Sequence, residues 1–305
     1  MHITHAQEEV LKSDWKDPSP EKPTRPPSFL LALVRLYFQT FGRIFPALTA
    51  RYAYHLFTKP RRRARHQSSD PVLESARIFE FLYGRQLLKG YEWGSGERTI
   101  LLVHGWESRG TALRSFVPVL LEAGFRVLAF DGPAHGDSAG KRTNLPHFAG
   151  AVRAAIRQAG AVEGIIAHSF GGASTVYALT QLDPGLSIDK LVYIAVPSSM
   201  LRVFENTVRG LRIPKRAAAR FKQILEEKAK RPLEELDLSD AYPELNIREA
   251  LIVHDRFDQI VPFSSARAIA EGWPHARLLV TEGYGHFRLM KNPDLIAQVA
   301  GFLAE

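Results

Sequence analysis

The chain has 305 residues, 45% of them apolar and 24% charged, with a formal net charge of +8. That length and mix fit a globular protein with a sizeable core and argue against a disordered or fibrous chain. The absence of cysteine excludes disulfides, thiolate metal sites and a cysteine nucleophile.

Residues 1–27 are polar and Pro-rich, which predicts a mobile tail. They hold acids and prolines and no apolar run, so no secretory leader is expected and the chain is read as cytoplasmic. An amphipathic helical extension with a basic flank is expected over 28–66. Arg35, Gln39 and Arg43 fall four apart and share a face, while Pro46 should kink or end the first helix. Arg35, Arg43, Pro46 and Arg51 interrupt the apolar segment 29–57, which makes it a poor membrane span. Two readings of this extension stand open. One is an interfacial helix whose basic cluster at 59–65 meets anionic lipid, giving peripheral membrane contact through residues 29–65. The other is a helical pair packed on the body of the protein with its arginines outward. No nucleic-acid recognition element accompanies the positive charge.

Over 67–305 the pattern changes period. Residues 78–83 and 87–93 predict a hairpin turning at Gly84-Arg85. Apolar strands follow at 99–103, 126–130, 164–167, 191–196, 250–253 and 277–281, with helical stretches at 112–123, 146–159 and 171–182. Apolar runs alternating with helices predict an α/β fold around a mostly parallel, eight-stranded sheet flanked by helices. The interval between Pro197 and Asn246 is too long for an ordinary strand-to-helix connection. Its charged, helical composition predicts a helical cap over 197–246, above the carboxyl edge of the sheet.

The sharpest feature is Gly164-Ile165-Ile166-Ala167-His168-Ser169-Phe170-Gly171-Gly172. An apolar strand runs straight into a serine flanked by small residues, with a helical stretch behind it. A nucleophile elbow needs that pattern, because its serine occupies a strained turn and the residues two before and two after, Ala167 and Gly171, must be small. A serine at a helix start also places backbone N–H groups and the positive dipole end near a developing oxyanion.

Around the elbow stand four further segments. His104-Gly105-Trp106 ends the strand at 99–103, and Asp131-Gly132-Pro133-Ala134-His135-Gly136-Asp137-Ser138 ends the next. His254-Asp255-Arg256-Phe257-Asp258-Gln259-Ile260-Val261-Pro262 and Gly283-Tyr284-Gly285-His286-Phe287 follow the last two strands. With the elbow, these resemble the oxyanion, D-x-x-G-x-G-x-S, acid and histidine loops of the α/β-hydrolase superfamily, in the expected order, over residues 76–305. More narrowly, the chain resembles cap-bearing bacterial serine hydrolases of esterase type with unassigned substrates. It departs from the pattern at Ala167, where the first glycine of G-x-S-x-G usually stands, and at Asp255, which replaces the glycine of the acid loop.

The resemblance implies Ser169 as nucleophile, His286 as base and Asp258 as the acid that orients the base, with Asp255 as the competitor for that last place. It implies an oxyanion hole from the backbone N–H groups of Trp106 and Phe170. The implied substrate is a small-molecule carboxylic ester with a small or medium apolar acyl group, cleaved through an acyl-enzyme with no cofactor and no metal. Thioester cleavage and acyl transfer would use the same three residues. A reading from another class is a membrane-surface lipid-binding protein on a hydrolase core that has lost turnover. Among the other polar residues, Asp131 and His135 are read as shaping their turn and His104 as a loop hydrogen-bonder. His168 is read as packing, its side chain turned away from the nucleophile. Trp106 and Phe204 are read as pocket walls, and His147, His254 and His275 have no acid partners at metal-ligand spacing.

Overall fold

The computed structural model describes residues 8–16, 29–61, 70–181 and 187–305. The chain divides into two units, one built on a sheet and one made of helices.

The sheet unit carries nine strands: β1 (Glu8–Val10), β2 (Arg77–Tyr83), β3 (Gln86–Trp93), β4 (Thr99–Val103), β5 (Arg126–Phe130), β6 (Gly164–His168), β7 (Ile188–Ile194), β8 (Ile247–Asp255) and β9 (Ala276–Thr281). Their spatial order is β1-β9-β8-β7-β6-β4-β5-β3-β2. All neighbours are parallel except β3, which runs antiparallel to both β5 and β2. β4 and β6 bury every residue, as strands covered on both faces by helices must. Ile100, Leu102, Val127, Ile166, Val192 and Leu279 form the centre of the core, each contributing roughly 1.5–3 kcal/mol by leaving water. The β2–β3 hairpin closes with Tyr83 opposite Gln86, and Gly84 takes the left-handed φ of +59° that the two-residue turn needs.

The sheet has nine strands where eight are expected, and the extra one comes from the segment read as a mobile tail. Glu8–Val10 pairs with β9, the Leu11 N–H donates to the Val280 carbonyl at 2.8 Å, and Leu11 is buried. Strand addition at an edge uses backbone groups, so a three-residue strand leaves almost no side-chain signature. Residues 1–7 and 17–27 of that tail lie outside the described residues.

The helical unit joins two distant stretches of sequence. Helices Phe29–Ile44 and Pro46–Thr58 meet at Pro46, which stands in the first turn of the second helix and has no N–H to lose there. Helices Met200–Leu211 and Lys215–Ala229 come from the insertion. Gly42 faces Pro214 so closely that a Cβ would lie 2.9 Å from the Pro214 Cδ. Phe57 packs edge-on against Phe221 at 5.6 Å, and Arg35 donates to the Gly210 carbonyl at 2.8 Å. The extension therefore packs with the inserted helices, a partner that the sequence did not single out. The insertion contributes residues 199–237 to this unit, whereas Leu238 onward returns to the sheet unit, where the Trp273 indole donates to the Leu238 carbonyl at 2.7 Å. Residues 62–65 of the basic cluster lie outside the described residues. No helix among the described residues is long and apolar enough to cross a membrane.

Candidate active site

Chain order reverses at β4, which has β5 on one side and β6 on the other. Loops leaving such strands diverge and open a crevice at the carboxyl edge of the sheet. The chemistry-bearing loops all start there, from the ends of β4, β6, β8 and β9.

Ser169 stands between β6 and helix Phe170–Leu179 with φ +53° and ψ −125°, a conformation that costs a non-glycine residue about 1–3 kcal/mol. Its N–H donates to the Ile194 carbonyl of β7 at 2.9 Å, which helps hold the turn. The small neighbours are required by close approach: a Cβ on Gly171 would lie 2.3 Å from the His104 carbonyl oxygen, and one on Gly172 would lie 2.3 Å from the Val196 Cγ2.

His286 and Asp258 converge on this serine from later in the chain. His286 Nε2 lies 3.0 Å from Ser169 Oγ, and His286 Nδ1 lies 2.7 Å from Asp258 Oδ2. A carboxylate accepts only, so Nδ1–H donates to Asp258 and Nε2 is left with its lone pair toward the serine hydroxyl. Asp258 Oδ1 accepts the Ile260 and Val261 N–H groups at 2.7 and 3.0 Å. Burial by itself pushes the Asp258 carboxyl up, but the hydrogen bond and charge of His286 and the two backbone donors outweigh it. The carboxyl is held below the ordinary carboxylate range. Asp255 serves elsewhere. It accepts from Phe257 N–H at 3.0 Å, Thr281 Oγ1 at 2.9 Å and Tyr284 N–H at 2.8 Å, and so ties the acid loop to the loop that carries His286.

His168 departs from the expectation of a side chain turned away from the site. Its ring lies 4.8 Å from the His286 ring, and its Nε2–H donates to the His286 carbonyl at 3.0 Å. Burial first, and then the neighbouring His286, push its pKa down to about 3, so it stays neutral. Alternation along a strand says which face a side chain leaves, and the His286 loop folds onto that face. Sequence reasoning weighed His254 only as a metal ligand and missed its place beside Asp258. Its Nε2–H donates to the Val261 carbonyl at 2.9 Å and lies 3.5 Å from Asp258 Oδ2, so it braces the acid loop from beneath. The available signal was its place at the end of a strand, four residues before Asp258.

The oxyanion loop runs against the elbow, since a Cβ on Gly105 would lie 3.2 Å from the Ser169 Cβ. The backbone N–H groups of Trp106 and Phe170 make no hydrogen bond among the described residues. The loop is held by two histidines. His104 accepts from Gly132 N–H at 2.9 Å and donates to the Gly105 carbonyl at 2.7 Å; His135 accepts from Glu107 N–H at 3.1 Å and donates to the Pro133 carbonyl at 3.0 Å. Asp131 takes the Tyr91 hydroxyl at 2.9 Å and the Gly110 and Asp137 N–H groups at 2.6 and 2.8 Å. These residues shape loops, as read. The apolar surface at the site comes from Trp106 and Phe170, whose rings meet edge to face at 5.2 Å, and from the exposed Phe257, Ile260 and Phe287 on the acid and histidine loops. Phe204, read as a pocket wall, packs on Phe221 inside the helical unit. No group of three or more His, Asp or Glu among the described residues is arranged to hold a metal.

Residues 100–299 match the family model described as the alpha/beta hydrolase family. The chain belongs to the α/β-hydrolase family. This α/β hydrolase is 30% identical over 118 residues to a non-heme haloperoxidase of Rhodococcus erythropolis, a stretch covering 38% of this chain and 43% of that protein. The chain thus matches less than half the length of that curated relative. Its fold is similar to that of an esterase of Pyrococcus furiosus, with TM-score 0.62, 19% identity and coverage of 81% of this chain and 97% of the esterase. It is also similar to an esterase of Exiguobacterium antarcticum (TM-score 0.56, 19% identity, 72% and 96% coverage). A thioesterase domain from the curacin biosynthetic pathway gives TM-score 0.56 at 16% identity, with 75% of this chain and 99% of the domain covered. At such identities the likeness concerns the fold of this α/β hydrolase alone.

Proposed function

We propose that this α/β hydrolase cleaves a carboxylic ester of a small or medium apolar acyl group through an acyl-enzyme. The observation that carries the reading is the hydrogen-bonded line Ser169–His286–Asp258, with spacings of 3.0 and 2.7 Å. His286 Nε2 takes the Ser169 proton as Oγ attacks the ester carbonyl carbon, and Asp258 stabilises the imidazolium that results. The carbonyl π pair moves onto oxygen, where the N–H groups of Trp106 and Phe170 receive it, each donor worth about 3 kcal/mol in the transition state. The pair then returns, the C–O bond to the alcohol breaks, and His286 protonates the departing oxygen. Water repeats the cycle on the acyl-serine and releases the acid.

The acyl preference rests on the apolar side chains Trp106 and Phe170 on the loop and helix that meet at the serine, Phe287 against the His286 ring, and the exposed Phe257 and Ile260 of the acid loop. Thioester cleavage and acyl transfer draw on the same three groups. A panel of p-nitrophenyl esters of rising acyl length, with matched thioesters, separates these. Ester turnover is expected to fall by roughly 10⁵-fold or more in Ser169→Ala. Wild-type rates in that variant would remove the nucleophile from the proposal.

A further inference from the structure

Helices Phe29–Ile44 and Pro46–Thr58 bury one side and leave large apolar side chains on another. Phe38 and Gly42 of the first helix are buried in the helical unit, whereas Phe29, Leu30, Leu33, Leu36, Phe41 and Ile44 are exposed, Phe29 by 80% and Ile44 by 68%. At ~100° per residue these six fall in one arc of roughly 140°. Phe45 at the kink and Leu48 of the second helix, also exposed, carry the apolar surface onward. Single exposed apolar residues are ordinary on a protein surface, but a contiguous stripe marks a face that meets something.

Charge says what it meets. Residues 29–69 contain eight Lys or Arg and no Asp or Glu. Those eight account for the whole net charge of +8, because outside the segment the remaining 32 Lys and Arg balance the 32 Asp and Glu. Arg43 and Arg51 are exposed on the two helices, next to the apolar arcs by the same rotation rule. Pairing of this face with a second copy would bring together two segments 29–58 that each carry arginines and no Asp or Glu, a like-charge contact that opposes a two-fold dimer. A layer of anionic headgroups over acyl chains satisfies both features at once.

We propose that helices Phe29–Ile44 and Pro46–Thr58 form a docking face for an anionic lipid surface, on which the apolar stripe enters the headgroup boundary and the arginines meet the lipid charge. The helices lie on the bilayer; neither crosses it.

Flotation of the full chain with neutral phosphatidylcholine vesicles, and with vesicles also containing phosphatidylglycerol, tests this. Partition onto the anionic vesicles is expected to exceed that onto neutral ones by at least about tenfold, and to fall as salt is raised. Leu33→Gln with Ile44→Gln should cost about tenfold on anionic vesicles, and Arg43→Gln with Arg51→Gln should remove most of the anionic preference. Ester turnover of the same variants in vesicle-free buffer is expected to equal wild type and reports that they fold. Should a variant fail to fold, the wild-type lipid and salt series decides alone. Equal partition onto both vesicle types, no binding to either, or a wild-type dimer that Leu33→Gln with Ile44→Gln disperses would each overturn the proposal.

Discussion

The carboxyl edge of the sheet and the outer face of the first two helices follow opposite rules. At the edge, polar side chains are buried and nearly every one has a partner: Asp258 accepts three hydrogen bonds, Asp255 accepts three, and His104, His135 and His168 are fixed through their ring nitrogens. On the helices, apolar side chains are exposed and the stripe they form has no partner among the described residues. Buried and satisfied polar groups fix geometry, because a lost partner leaves a desolvated donor or acceptor at full cost. Exposed apolar groups contribute little to the fold and act only when something covers them. The same chain therefore keeps satisfied polar groups at the sheet edge and uncovered hydrophobic surface elsewhere.

The contrast can be broken most severely at the acid. Asp258→Asn keeps an oxygen for the Ile260 and Val261 N–H groups but presents an amide to His286 Nδ1, which favours the wrong imidazole tautomer. A fall in kcat of about 10⁴-fold is expected, with the unfolding midpoint within a few degrees of wild type. Steady-state ester kinetics and a thermal melt check both, and a wild-type kcat would mean that Asp258 does not orient the base.

Acid titration gives the next largest effect. The folded-state pKa of His168 is about 3 against an ordinary value of 6.5, so the unfolded chain binds the extra proton between these limits. Its contribution is fully present above about pH 6.5 and is lost as pH falls toward about 3, at most about 5 kcal/mol in all. Glutamine can donate to the His286 carbonyl without titrating. Urea unfolding of wild type and His168→Gln at neutral pH and near pH 4 should show a smaller acid loss in the variant. Equal losses would contradict a buried neutral His168.

The smallest effect belongs to the helical face. Leu36→Gln, at a position 56% exposed, is expected to change unfolding free energy in lipid-free buffer by less than about 0.5 kcal/mol. A loss of 2 kcal/mol or more would show that Leu36 supports the fold, and the contrast between the two regions would fail at that point.

Much of this protein was determined by local sequence. Strand and helix periodicity placed the eight strands from Arg77 onward and the break at Pro46, and spacing of small residues marked the turn at Ser169, because these depend on nearest-neighbour sterics and side-chain period. The order of loops after each strand brought Ser169, His286 and Asp258 into one reading. Tertiary structure alone decided the rest. The ninth strand forms through backbone groups whose partner lies about 270 residues away, and nothing in Glu8–Val10 encodes that partner. Only the folded chain puts His168 against the His286 carbonyl and His254 beneath Asp258, since a strand pattern gives the face a side chain leaves and not the loop that later covers it. Joining the helices of residues 29–58 to those of 200–229 is likewise a long-range packing choice. Amphipathic periodicity announces a face to bury; which distant segment buries it depends on shape complementarity, such as Pro214 seated on Gly42, and that exists only in three dimensions.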